Sequence, residues 1–191
     1  MFKQRLITAS LLAPLALAAV FLLPVVGFSV VMGLVVLIGA WEWANLAVHT
    51  RKARYAFVSF VAIVLFVISP FLESITSPLL YVTAAFWAFA SLKVLNYPST
   101  RGVDGVWVKL LIGLLVLVPT WVAMVGLKLH ASGHSLLLLL FLLVWGADIG
   151  AYFAGKRFGR VKLLPNVSPG KTREGLYGGL IAGLSIGLLF G

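Results

Sequence analysis

The chain is written in long apolar runs separated by short polar breaks. The runs cover residues 6–23, 28–48, 55–71, 78–95, 106–129 and 134–155, with a seventh, shorter one at 176–191. A helix that spans a bilayer needs about 20 mostly apolar residues, because it rises 1.5 Å per residue across a hydrocarbon core about 30 Å thick. The pattern therefore predicts an all-α, polytopic bundle of about seven membrane helices. The breaks carry Pro, Gly, Ser or charge, as helix boundaries do. Pro14 and Pro119 fall inside runs, where neighbouring helices can satisfy the freed carbonyls, so they are expected to kink helices without ending them. The first run also has the outline of a signal peptide, with Lys3 and Arg5 before it and Ala16-Leu17-Ala18 within it. It stays apolar to Leu23 and further runs follow, so an uncleaved first helix is expected.

Composition agrees with the pattern. The 191 residues are 62% hydrophobic and 10% charged, against about 45–50% and about 25% in a soluble domain. A water-soluble fold of this size has no interior large enough for so much apolar surface. The net charge of +10 would suggest nucleic acid in a soluble protein, but its placement argues otherwise. With the N-terminus in the cytoplasm, fourteen of the fifteen Lys and Arg residues fall at cytoplasmic helix ends and only Lys128 falls outside. Basic residues in short loops orient membrane proteins, so the charge serves topology and anionic lipid or phosphate, and no nucleic-acid partner is expected. There is no cysteine, hence neither a disulfide framework nor a thiolate metal site.

Residues 1–144 read as membrane scaffold and residues 145–191 as the part that carries chemistry. Ionisable groups within spans are costly and face a cavity or a partner; here they are Glu42, Lys93, Lys109 and Asp148. The two lysines can snorkel to the interface, and Glu42 lies between the interfacial anchors Trp41 and Trp43. Asp148 has too short a stem to snorkel. It lies seven residues before Gly155, about 10 Å along a helix, and its expected partner is Lys93, Lys109, a loop cation or a metal ion. Tyr152 follows one turn later on the same face. The three histidines are expected at helix ends or loops and carry no assigned role.

The segment 156–173 holds six basic residues and no acid. It ends in Ser168-Pro169-Gly170-Lys171-Thr172-Arg173-Glu174-Gly175, where hydroxyls, a glycine turn and two cations precede a helix N-terminus, a plausible anion site. Gly-Lys-Thr invites comparison with the nucleotide-binding P-loop, but that motif needs glycine at position 165, which is Pro165, and a preceding strand, which is not expected. In the last run Gly179, Gly183, Gly187 and Gly191 recur every four residues, with Gly146 and Gly150 in the run before. Such ridges let helices approach closely.

Taken together, Trp41-Glu42-Trp43, Asp148-Ile149-Gly150-Ala151-Tyr152-Phe153, Gly155, Phe158-Gly159, Pro165, Ser168-Pro169, Lys171-Thr172, Glu174-Gly175 and Gly178-Gly179 resemble the phosphatidate cytidylyltransferase (CDP-diacylglycerol synthase) family. The resemblance implies transfer of CMP from CTP to phosphatidic acid, with Mg²⁺ as cofactor, at the cytoplasmic face of a bacterial inner membrane. It implies catalytic roles for Asp148 and Lys171, substrate binding by Tyr152, Ser168, Thr172 and Arg173, and metal binding by Asp148 and Glu174, with helix capping as the alternative for Glu174. The family's C-terminal signature, with its further metal-binding aspartates, has no counterpart here, so the sequence is expected to be the first two thirds of such an enzyme. Expected partners are CTP, phosphatidic acid and the bilayer, with a homodimer as a candidate assembly. The rival readings are a transporter of an anionic solute, which would use the same basic vestibule, and a catalytically inactive fragment of the enzyme.

Overall fold

The structure, a computed structural model, describes residues 2–95, 97 and 105–191, with the backbone alone for residues 2–7 and 9. Arg101, one of the cations counted toward the expected orientation, lies outside them. The helices are α1 (Phe2–Leu22), α2 (Val25–Ala47), α3 (Arg51–Ile68), α4 (Leu72–Leu95), α5 (Val106–Leu129), α6 (Gly133–Phe158) and α7 (Arg173–Phe190). Pro14 and Pro119 lie inside α1 and α5, as expected. A single 3₁₀ turn, Ser69–Phe71, separates α3 from α4.

The helical membrane class holds, but the count differs. Among the described residues, four stretches are long and apolar enough to cross a membrane: Val25–Ala47, Arg51–Leu95, Val106–Leu129 and Gly133–Phe158. The sequence expectation of about seven counted residues 55–71 and 78–95 separately, whereas Arg51–Leu95 is one apolar stretch of 45 residues. At the N-terminus the apolar stretch found among the described residues is Ser10–Leu22, part of α1. At the other end α7 has 18 residues and opens on Arg173 and Glu174.

A second difference lies in the basic segment, expected to be a turn. It folds into an antiparallel ribbon, β1 (Lys162–Leu164) and β2 (Ser168–Thr172), pairing Lys162 with Thr172 and Leu164 with Ser168. Pro165 and Asn166 form the turn, closed by Val167 N–H donating to the Leu164 carbonyl at 3.1 Å. A strand therefore does precede α7, contrary to expectation. Pro165 still excludes a P-loop.

The described residues form two compact units. One contains α1–α3, α4 as far as Phe89, α5 and the start of α6 to His134; the other contains the end of α4 from Ala90 and the chain from Ser135. In the first unit the core is the meeting of α2, α3 and α5. Val36, Ala40, Ala44 and Ala47 face Phe57, Val61 and Leu65, with Val118, Trp121, Val122 and Val125 completing it. The spacings of three and four place each set on one helix face. Two indoles, the half-buried Trp43 and the buried Trp121, tie the helices: Trp43 Nε1 donates to the Lys109 carbonyl at 2.8 Å and Trp121 Nε1 to the Ser29 carbonyl at 3.0 Å. An indole N–H in a dry interior needs such an acceptor. Gly113 leaves room for Trp43, since a Cβ there would come within 2.6 Å of Trp43 Nε1. Trp41 packs on Tyr55 at 5.0 Å between ring centroids, so both tryptophans flanking Glu42 serve packing.

The remaining outlier of the topology, Lys128, is buried. Its ammonium donates to the Val20 carbonyl and lies 2.9 Å from His134 Nε2, a ring to which the sequence assigned nothing.

Candidate functional site

In the second unit α6 and α7 run antiparallel with their backbones touching. A Cβ placed on Gly150 would lie 2.6 Å from both Ala182 Cβ and the Gly178 carbonyl oxygen. One on Gly179 would lie 3.0 Å from the Ala147 carbonyl, and one on Gly175 3.1 Å from the Ala151 carbonyl. Only glycine permits this approach. The packing ridge of α7 is thus Gly175, Gly178 and Gly179. A Cβ on Gly183 would meet nothing within 4 Å, so the four-residue repeat expected to pack a helix does so closely only at Gly179.

The ribbon is fastened to the start of α7 by backbone and side chain together. Arg173 N–H donates to the Val161 carbonyl at 2.9 Å. The Glu174 carboxylate accepts from Arg160 N–H at 3.1 Å and from Val161 N–H at 3.2 Å. Its own backbone N–H is the largest influence holding its pKa below the ordinary 4.5, followed by the Arg160 N–H; partial burial opposes them, and the Val161 N–H and the Arg160 charge add to the lowering. Thr172 is the N-cap of α7, its Oγ1 accepting from Gly175 N–H at 3.1 Å. The same hydroxyl sits where a Cβ on Gly155 or Gly159 would meet it, at 3.2 and 3.0 Å, so α6 ends against the cap.

This arrangement closes a groove of ≈490 Å³ whose walls include Asp148, Tyr152 and Lys156 from α6 and Gly170, Lys171 and Thr172 from β2. The size suits a small polar ligand, for which about 300–1,000 Å³ is usual. Asp148 and Tyr152 stand one turn apart, and Lys156, one turn further, places its ammonium 5.6 Å from the Tyr152 ring centroid. The sequence reading counted Lys156 only among the loop cations; its four-residue spacing from Tyr152 was the signal that puts it on the same face. Of the expected site residues, Asp148, Tyr152, Lys171 and Thr172 share the groove. Ser168 pairs with Leu164 in the ribbon, Arg173 is exposed, and Glu174 spends its oxygens on the loop backbone; these three are not among the groove walls.

Among the described residues no three His, Cys, Asp or Glu side chains come together. A lone carboxylate still suits Mg²⁺, which keeps several waters and is commonly held by one or two carboxylates plus substrate phosphates. Asp148 offers one such oxygen pair in the groove that Lys156 and Lys171 also line.

Comparison with known proteins names this pattern. The cytidylyltransferase family matches residues 3–191. Phosphatidate cytidylyltransferase of Pseudomonas aeruginosa is 46% identical over 182 residues, covering 94% of this chain and 67% of that protein. The Haemophilus influenzae protein of the same name is 34% identical over 212 residues, covering 100% of this chain and 73% of its own length. That of Bacillus subtilis matches a shorter stretch, 38% identical over 63 residues, 33% of this chain and 23% of that protein. No solved structure matches. The resemblance carried by the Asp148–Gly179 series is borne out: this chain belongs to the cytidylyltransferase family.

Proposed function

We propose that this chain transfers CMP from CTP to phosphatidic acid, forming CDP-diacylglycerol and pyrophosphate. The observation that carries the reading is the single groove walled by Asp148, Tyr152, Lys156 and Lys171, in a chain of this family. In the reaction an oxygen of the lipid phosphate bonds to the α-phosphorus of CTP while the bond from that phosphorus to the bridging oxygen breaks, and pyrophosphate leaves. The lipid itself is the nucleophile, so the protein's task is positioning and charge stabilisation.

Lys171 and Lys156 bind phosphate oxygens from opposite walls of the groove, and the Tyr152 hydroxyl donates a further hydrogen bond. Thr172, its oxygen engaged in the helix cap, fixes Lys171 beside it. Arg173 and Ser168 hold the ribbon and add charge and polarity near the mouth. Asp148 is the residue that would hold Mg²⁺, whose contribution when bound is neutralisation of phosphate charge; Glu174 shapes the loop.

In this reading residues 1–144 are scaffold and residues 145–191 carry the site. Arg51–Leu95 crosses twice, its 45 residues rising about 67 Å against a hydrocarbon core of about 30 Å. With α1 and α7 the passes number seven, and the groove faces the cytoplasm of a bacterial inner membrane, where cytosolic CTP meets a bilayer lipid. The placement of fourteen of fifteen cations supports that orientation.

The test is conversion of radiolabelled CTP to lipid-extractable product by the chain in phosphatidate-containing vesicles. Asp148→Asn and Lys171→Ala, at matched expression, are each expected to lower the rate by about 10²–10³, the usual loss when a charge-stabilising group is removed. Near-normal transfer by both variants would remove this site.

A further inference from the structure

The polar groove does not end at the membrane. Asp148, Ala151 and Leu176 wall it on one side and also wall a second groove of ≈730 Å³ between α6 and α7. Beyond Asp148 that second groove is apolar, and it follows α7 from Leu176 to Leu188. Twelve residues of helix rise about 18 Å, close to the roughly 15 Å of one leaflet's hydrocarbon. The glycines of α7 fall into two groups along it. Gly175, Gly178 and Gly179 are pressed against α6, whereas a Cβ on Gly183 would meet nothing within 4 Å and one on Gly187 only Leu143 Cδ2, at 3.9 Å. Close helix packing accounts for the first group and leaves the second without a role.

We propose that this apolar groove holds one acyl chain of the phosphatidate substrate, and that Gly183 and Gly187 keep it open. The proposal rests on the cytidylyltransferase reading of the site. A lipid phosphate held between Lys156 and Lys171 starts its hydrocarbon at Asp148, Ala151 and Leu176, where the wall changes from polar to apolar. A soluble anion has a use for the first groove only. A phospholipid fits both, and its charge matches the polar end. Gly183 and Gly187 then set how long a chain the site accepts, because a side chain at either position would occupy the groove away from the close contact at Gly175, Gly178 and Gly179.

The experiment compares CMP transfer to dioleoyl and to dihexanoyl phosphatidate by the whole chain and by Gly183→Leu and Gly187→Leu. The ratio of kcat/KM for the long over the short substrate is expected to fall at least about tenfold in the variants, as for bulk placed in a hydrocarbon pocket. An unchanged ratio overturns the inference while leaving the enzyme reading standing. No transfer by the wild-type chain to either substrate sinks the enzyme reading and the inference with it. A second measurement keeps the proposal open to refutation where the variants fail to fold. A phosphatidate carrying a mid-chain diazirine is photolysed with the wild-type chain in vesicles, and the labelled residues are mapped. Labelling at Leu180, Leu184 and Leu188 that dioleoyl phosphatidate displaces and dioleoyl phosphatidylcholine does not supports the groove; equal displacement by both lipids overturns it.

Discussion

At Gly150 sequence, packing and site geometry meet, and Gly150→Ala isolates that link. The added methyl would stand 2.6 Å from Ala182 Cβ and from the Gly178 carbonyl. Neither neighbour can swing aside, since one is a Cβ and the other main chain. Restoring the 3.4 Å at which ordinary contact begins requires α6 and α7 to part by about 0.8 Å. Overpacking of that kind costs about 1–3 kcal/mol, partly offset by the roughly 1 kcal/mol that alanine gains over glycine in a helix. The stability loss is therefore modest. The functional loss is larger, because Asp148 and Tyr152 ride on α6 while Lys171 is fixed to the start of α7. A misplacement of 1 Å costs up to about 10²-fold in rate, so Gly150→Ala is expected to lose about 10–100-fold in CMP transfer. The assay is lipid-extractable product from radiolabelled CTP, run beside thermal unfolding followed by tryptophan fluorescence. Gly27→Ala is the control: its nearest contact is an ordinary 3.5 Å to Pro24, and wild-type turnover is expected. A folded Gly150→Ala protein with wild-type turnover would refute the claim that backbone contact at this crossing sets the groove.

The other predictions concern the supports of the site and the scaffold. Thr172→Ala removes the α7 cap and is expected to cost about 1 kcal/mol, read as a lower Tm, with Thr172→Ser restoring most of it; equal Tm values in all three proteins would count against the cap. Because the Glu174 pKa is lowered in the folded chain, its contribution is fully present above 4.5 and is lost as pH falls through the lowered value. Tm followed downward from neutral pH through 4.5 should therefore fall less steeply in Glu174→Gln, and parallel profiles would remove the loop-fastening role. Trp43→Phe deletes the hydrogen bond to the Lys109 carbonyl and is expected to destabilise the α2–α5 contact by about 0.5–1.5 kcal/mol, measured as unfolding in detergent.

The sequence by itself determined the medium, the helices and the family. Apolar runs interrupted by Pro, Gly and charge dictate helices in lipid because the backbone there has no other way to satisfy its polar groups. The series from Asp148 to Gly179 was legible because its glycines, cations and two carboxylates keep one register over some thirty residues. Tertiary structure decided where those residues stand and what they touch. Glu174 read as a metal ligand or a cap, and its carboxylate proved to be bound to the Arg160 and Val161 amides. Those partners are main-chain groups, present at every residue, so spacing holds no signal for them. The ribbon escaped notice because strands of three and five residues are too short to show a period. The glycine repeat of α7 looked uniform in sequence, yet only the geometry of the crossing separates Gly175, Gly178 and Gly179, which bear on α6, from Gly183, which opens on a groove. Periodicity gives the face of a helix; which part of that face meets a neighbour depends on where two axes cross, and that is fixed only by the packed fold.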